Sequence, residues 1–496
     1  MVCETLSQGF LEEFQKVREA VALHTDDGEV RYLDLLELHG AFCHQVENLP
    51  LPSGSRVALF AEKSARTLAL ILALWHHGHP VMIVPAGLGD KACDKVFEDA
   101  AIFAQIGLDA HGTIEILKEV RGKGFTKSTD NCALILTTSG STGVPKGVML
   151  PANALKSFFA WAKQQFSLVQ NSKVFSYAPL NFDLALLEIW TPLSIGACSV
   201  LADPAKGADG AYLRALVSKH KPDLIEGVPL LYRMLAETDG SAAFKAPFVK
   251  NVIMTGEKFS KEQRLQLAHM FPKAIFRNVY GATETNDSLI FSCNAEELTD
   301  LEVMPVGMPL PHVKVLVEPT DEPEADDIAR GELLVSTPFQ ATGYTDPVKT
   351  EDAFLTRVVE GVAQTFYKTG DLVRMKKNGL IYLEGRSDFI VKVRGVRTNI
   401  VDVEIALTSH PDVEAAAVIP LPDAAAGTKL AAVVQVSPGA KLNSLTLRSY
   451  CAEHIPRSAI PSLYKITSDP LARTSTGKPD RKSLAGFFQE AGETTS

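Results

Sequence analysis

The chain has 496 residues, 46% hydrophobic and 22% charged, with a net charge of -10 at pH 7. That length exceeds one ordinary core and suits a large domain of several subdomains plus a smaller one, while an acidic balance without basic runs argues against nucleic acid as a partner. Seven cysteines without Cys-x-x-Cys spacing read as reduced thiols, Met1-Val2-Cys3-Glu4 lacks the layout of a signal peptide, and apolar stretches such as residues 68–75 are far too short to span a bilayer, so a cytoplasmic protein with no membrane partner is expected.

In chain order, Arg56-Val57-Ala58-Leu59-Phe60 reads as a strand, residues 63–77 as a helix and Pro80-Val81-Met82-Ile83-Val84-Pro85 as the next strand. This is α/β order with predominantly parallel sheet. His76-His77-Gly78-His79 invites a metal reading, but contiguous histidines at a helix end point in different directions, so no metal is assigned there. Residues 133–136 form an apolar run that delivers Leu136-Thr137-Thr138-Ser139-Gly140-Ser141-Thr142-Gly143-Val144-Pro145-Lys146-Gly147. Glycines let the backbone turn its N–H groups toward phosphate oxygens, hydroxyls add donors and Lys146 adds charge, so the segment reads as a phosphate cradle. Its spacing excludes the ordinary nucleotide P-loop. After Asp300 the texture becomes strands punctuated by Pro and Gly, at 313–317, 331–336 and 372–375, which suggests an antiparallel, barrel-like part. Gly385-Arg386-Ser387-Asp388, a short polar stretch after the strand at 381–383, is the nearest thing to a linker.

Four further segments follow the Ser/Thr/Gly loop in a fixed order. They are Asn278-Val279-Tyr280-Gly281-Ala282-Thr283-Glu284, then Tyr367-Lys368-Thr369-Gly370-Asp371, then Gly385-Arg386-Ser387-Asp388 with Lys392 and Gly395-Val396-Arg397, and finally Thr476-Gly477-Lys478-Pro479-Asp480-Arg481-Lys482. The set resembles the adenylate-forming superfamily of acyl-CoA synthetases, luciferases and nonribosomal peptide synthetase adenylation domains, and within it the stand-alone amino-acid adenylation enzymes. The resemblance implies a large N-terminal domain over 1–387, with two α/β sheet layers and a β-barrel-like part, and a small mobile α+β lid over 388–496 pivoting at Asp388. It also implies two steps on Mg-ATP: a carboxylate attacks the α-phosphate to give an acyl-adenylate and pyrophosphate, and a thiol then takes the acyl group.

On that resemblance, Thr138, Ser139, Gly140, Ser141, Thr142, Gly143 and Lys146 surround the phosphates. Tyr280 and Gly281, with Asn278 beside them and Gly256-Glu257 opposite, hold adenine, and Thr283 meets the α-phosphate. Glu284 is the magnesium ligand, since Mg²⁺ takes oxygen ligands and bridges to phosphates through one or two carboxylates. Asp371 suits the ribose hydroxyls because an ionised carboxylate offers acceptors and no donor, although a turn aspartate is its plain alternative. Arg386 adds a donor nearby. Lys478, a mobile charge able to reach carboxylate and α-phosphate, is the residue assigned to adenylation itself. Asn399 and Asp402 stand where relatives commonly have Glu, which puts in doubt any carried-over role for carboxylates there.

The run Asn181-Phe182-Asp183-Leu184-Ala185-Leu186-Leu187-Glu188-Ile189-Trp190 resembles the peptide-synthetase form of this region. Asp183 would then pair with a substrate ammonium, the alternative being a helix N-cap. The implied pocket is lined by Leu184, Leu187, Gly227, Ile253, Thr255, Val279, Asp287 and Ser288. Asp287 stands out as a second acid. It could meet a basic or hydroxylated side chain, or a displaced amine, or point to solvent. Few residues follow Lys478, so the acceptor is expected to be a separate carrier protein bearing phosphopantetheine; Asp287-Ser288-Leu289 mimics a carrier serine but sits in the pocket region. The competing reading is a CoA ligase for an aryl or aliphatic acid, which has no use for Asp183.

Overall fold

The computed structural model describes residues 2–85, 88–120, 131–138, 145–237, 243–320, 326–393, 396–423, 427–437, 439–473 and 479–489. The described residues fall into two compact units, the larger comprising Met1–Leu316, Leu334–Thr369 and Met375–Tyr382, the smaller Val317–Leu333, Gly370–Arg374 and Leu383–Ser496.

Two sheets organise the larger unit. One runs, in spatial order among the described residues, Gly343–Tyr344, Lys146–Pro151, Cys132–Thr138, Val81–Val84, Arg56–Phe60, Ile102–Leu108 and Ile114–Glu119. Its middle is parallel, with Val57 beside Val81 and Val81 beside Leu134. Parallel strands are covered on both faces by their crossovers, which is why Val81–Val84 is buried at every position. The crossover helix Ala65–His76 begins after Ser64, whose side chain accepts from the Thr67 N–H, and residues 68–75 are its buried core. The second sheet runs Met308–Pro309, Asn286–Cys293, Ile275–Ala282, Asn251–Met254, Leu224–Gly227, Lys173–Ser176, Cys198–Leu201, Val21–Thr25 and Gly28–Arg31. It too is parallel in its middle and antiparallel at its edges. Helices from the two sheets meet in an aromatic cluster: Phe10 packs against Trp75, Phe159 and Trp190, and the two indoles lie 5.0 Å apart. Later in this unit Phe354–Val359 pairs antiparallel with the start of Val362–Lys376, as the Pro- and Gly-punctuated texture suggests.

The smaller unit is built on Val413–Asp423, Gly427–Val436 and Leu463–Thr467. Successive side chains of a strand point to opposite faces, so Ala416, Val418, Ala432 and Val434 pack with the helices Ile400–Thr408 and Ser444–His454, while Ala417, Ile419 and Val433 pack with Leu484 of Arg481–Gln489. Arg481 grips Glu404 through both carboxylate oxygens, at 2.8 and 2.7 Å, which links two of these helices.

No helix among the described residues is long and apolar enough to cross a membrane. The helical segment after Asp183 is short and irregular: a π turn, Leu186–Trp190, runs straight into Thr191–Ser194. Its anchor is Glu188, fully buried, which accepts from the Ser176 hydroxyl at 3.0 Å and the Ala178 N–H at 3.0 Å. Lys63 donates to the carbonyls of the same two residues, at 2.8 and 3.0 Å. Burial pushes the Glu188 carboxyl up to about 7, with Lys63 opposing, and pulls the Lys63 ammonium down to about 8. Removing one member strands the other charge in a poorly solvated site. Glu188→Ala is therefore expected to lower folding stability by about 3 kcal/mol or more, read as a fall in the urea midpoint of the full chain; a change under about 0.5 kcal/mol would contradict this account.

Candidate functional site

The strands Ile275–Ala282 and Asn286–Cys293 form a hairpin whose tip is Thr283, Glu284 and Thr285. Such a short connection needs a left-handed residue, supplied by Asn286 at φ 51°, and close backbone approach, supplied by Gly281, where any Cβ would collide with the Asn286 carbonyl. Neighbouring chain then clamps the tip. The Ala341 N–H donates to the Glu284 carbonyl at 2.9 Å, and the Thr337 hydroxyl donates to the Thr285 carbonyl at 2.9 Å. The Glu284 carboxylate is buried and accepts from the Tyr344 hydroxyl at 2.5 Å. Burial, the charge of Glu284 and neighbouring Tyr367 push the Tyr344 phenol well above its ordinary range, so it stays a donor.

Tyr344 pairs beside Val148 in the sheet, on the strand that begins at Lys146, and the Lys146 ammonium lies 4.9 Å from the Tyr344 ring centroid. The loop's basic residue is thus brought to the carboxylate through one tyrosine. On the other side of the tip, the Thr283 hydroxyl donates to Asp183 Oδ2 at 2.8 Å. Asp183 Oδ1 accepts from the next N–H, Leu184, at 3.0 Å, a bond to its own neighbour rather than to the second or third N–H that a helix cap holds. The structure therefore brings Lys146, Glu284, Thr283 and Asp183 into one connected line.

Around it, Leu187, Ile253, Thr255, Val279 and Ser288 are buried, and Leu184 is half-buried. Ser288 spends its hydroxyl on the Asn286 carbonyl, at 3.0 Å. Asn278 donates to the Pro305 carbonyl at 2.8 Å, Tyr280 is half-buried beside it, and Gly256 and Glu257 are exposed. Gly227 is corrected by one residue. Its missing Cβ points at Leu231 in the helix-side core, and the side chain that shares a face with Ile253, its register partner, belongs to Glu226. A strand's period of two makes an error of one residue an error of face. Glu226 had a sequence signal: a lone charge in the otherwise apolar strand Leu224–Gly227.

In the smaller unit, Arg386 donates to Asp371 at 3.1 Å, and Gly370 at φ 72° leaves the guanidinium room that a side chain would fill. Asn399 caps the helix Ile400–Thr408 by accepting from the Val401 N–H and donates to the Glu384 carbonyl at 3.1 Å. An amide does both where a carboxylate could not donate. Asp388 lies in a short turn, Ser387–Phe389, directly after the strand ending at Arg386. Thr138 ends its strand half-buried. Ser139, Gly140, Ser141, Thr142, Gly143, Gly395 and Lys478 lie outside the described residues. Of the neighbouring histidines, His79 turns away to bond Ser55, but the His76 ring lies 5.4 Å from that of His77, and His76 with His39 and Cys43 puts ligand atoms within 4.8 Å of one another, a group that could hold a metal ion.

The AMP-binding enzyme family matches residues 10–345, and the AMP-binding enzyme C-terminal domain family matches residues 402–478. Phenyloxazoline synthase MbtB of a Mycobacterium species is 29% identical over 97% of this chain, which spans 42% of that relative's length. The L-proline/L-prolyl-carrier protein ligase of Pseudomonas fluorescens is 27% identical over 88% of this chain and 90% of its own. Among solved structures, Klebsiella oxytoca NpsA in complex with 3-hydroxyanthranilyl-AMSN superposes with a TM-score of 0.77 over 98% of this chain and 99% of that one, at 24% identity, a likeness of fold.

Asp287 gives the site a pH signature. Burial first and the charge of Asp183 second push its carboxyl up from 3.8 to about 7. A raised carboxyl contributes stability that is fully present below 3.8 and is lost as pH rises through about 7. Asp287→Asn should therefore gain stability relative to the unmutated chain between those limits, on the order of 4 kcal/mol, with the difference flat above them. Denaturant unfolding at several pH values reads this, and a pH-independent difference would refute it.

Proposed function

The chain belongs to the AMP-binding enzyme family, and we propose that it uses ATP to activate an amino acid as its aminoacyl-adenylate, releasing pyrophosphate, then passes the aminoacyl group to the phosphopantetheine thiol of a separate carrier protein. The observation that carries this reading is the bond between Thr283 and Asp183. It supports a site in which an acceptor for a substrate ammonium lies next to the turn that meets the α-phosphate, so a bound amino acid's carboxylate would start close to the phosphorus it attacks. The carrier-protein ligase from Pseudomonas fluorescens, 90% of which this chain spans, supports the choice of acceptor.

Within this reading each residue has a task. Lys146 and the Ser139–Gly143 segment hold the phosphates, Asn278 and Tyr280 receive adenine with Gly256, Glu257 and Gly281, and Asp371 with Arg386 takes the ribose. Glu284 would hold Mg²⁺, and its setting fits: a buried oxygen ligand with one oxygen fixed by Tyr344. When bound, the ion offsets phosphate charge. Tyr344 orients the carboxylate and leaves its other oxygen for the ligand. Lys478 brings a positive charge to the attacking carboxylate and the α-phosphate. Residues 388–496 act as a lid that turns at Asp388 between the two steps.

Amino-acid-dependent exchange of pyrophosphate into ATP, with AMP and not ADP as product and with dependence on Mg²⁺, is the expected activity; ADP formation would sink the assignment. Lys478→Ala should lower adenylation by about 10²-fold or more yet spare transfer from a supplied aminoacyl-adenylate to a thiol. Equal loss of both steps in a folded variant would count against the lid. Asp183→Ala should cut kcat/KM for the amino acid by roughly 10²-fold with little change in KM for ATP, because the ammonium loses its partner. Faster turnover of a non-amino acid with CoA, retained in Asp183→Ala, would move the chain to the CoA-ligase reading.

A further inference from the structure

The pocket holds more acidic groups than one ammonium can use. Glu226 is 3% exposed, and its Oε2 finds no hydrogen-bond partner among the described residues. Asp287 Oδ2 is likewise buried without a partner. Both carboxyls are pushed up by burial first; Asp287 and then Glu188 and Asp183 push Glu226 further, and Asp183 pushes Asp287 further. Among the described residues no cation offsets either of them. Glu188 is different, because Lys63 lowers it and the Ser176 hydroxyl and Ala178 N–H satisfy it. A buried carboxyl oxygen without a hydrogen-bond partner is costly, so a fold that keeps two of them at one site has room for a donor that meets both.

Their position says what that partner is. Glu226 lies beside Ile253 on one face of the sheet, and Asp287 leaves the hairpin next to Gly281, close enough to feel Asp183. Asp183 is already matched to the substrate's own ammonium in the proposed function, on which this inference rests. We propose that the activated acid carries a second amine on its side chain, and that Glu226 and Asp287 receive this ammonium between their unpartnered oxygens, making the substrate class a diamino monocarboxylic acid. An ammonium has three N–H donors and no acceptor, so it can satisfy both oxygens at once, whereas a hydroxyl has one donor. The apolar residues Leu187, Ile253 and Val279 suit the methylene stem between the two charged ends.

Pyrophosphate exchange with 2,3-diaminopropionate, 2,4-diaminobutyrate, ornithine and lysine, each against a neutral amino acid of equal length and against homoserine, tests this. One of the diamino acids should exceed its neutral counterpart in kcat/KM by about 10²-fold or more, since a site built to bond an N–H rejects the analogue lacking it. In Glu226→Gln that preference should shrink by roughly 10-fold or more while KM for ATP stays within about twofold. Asp287→Asn should shrink it too, and it serves as the second variant if Glu226→Gln does not fold. Preference for a neutral amino acid or for homoserine, or an undiminished preference in both variants, overturns the inference and leaves amino-acid activation standing. Exchange with no amino acid, alongside activity on a non-amino acid with CoA, overturns both.

Discussion

Burial of the Glu188 carboxylate is the constraint on which the segment around Asp183 depends. A charge taken out of water must be met by donors, and the chain meets it with the hydroxyl of Ser176 and the N–H of Ala178. Lys63 holds the carbonyls of those same residues, so ammonium and carboxylate act on one short stretch of backbone from two directions. The end of a central strand, the approach to the helix Ala65–His76 and the π turn Leu186–Trp190 are thereby joined. Asp183 sits between Ala178 and Glu188, in a segment fixed at both ends.

The hairpin at Thr283 and Glu284 uses a different device. A hairpin tip is ordinarily mobile, yet residues 283–285 are held by a left-handed Asn286, by the Thr337 hydroxyl, by the Ala341 N–H and by the Tyr344 hydroxyl. Tyr344 reaches them because its strand pairs with the one that opens at Lys146. Sheet pairing therefore sets the distance between the loop's lysine and the hairpin's carboxylate, and the aromatic ring fills the gap between them. Side chains locked by packing and bonds in this way are ready for a ligand without reorganising, which is what a site acting on developing charge requires.

Local chemistry made much of this legible. The strand Arg56–Phe60 follows its apolar run residue for residue, and Val81–Val84 differs from its pattern by the flanking prolines. The helix starts later than its pattern because Ser64 turns out to cap it. Gly227 was misread because a continuous buried strand gives no alternation from which to tell its faces, so a motif one residue out of step looks as good as the right one. Only the pairing of Glu226 with Ile253, and the collision a Cβ at Gly227 would have with Leu231, decide which of the two shares the Ile253 face. Asn399, an oddity by comparison with relatives, became intelligible once its amide was found capping a helix and bonding the Glu384 carbonyl.

The sequence by itself determined the α/β order, the family and the candidate residues for the chemistry, because periodicity, glycine content and ordered motifs are local properties of a chain. Tertiary structure decided which of those residues meet: that Thr283 bonds Asp183, that Tyr344 stands between Lys146 and Glu284, and that Glu226 and Asp287 keep oxygens unpartnered near a third acid. Partners 60 to 100 residues apart carry no mark of each other in the sequence. Their meeting is fixed by strand register and by the cost of leaving a buried polar atom unsatisfied, and both are properties of the folded chain.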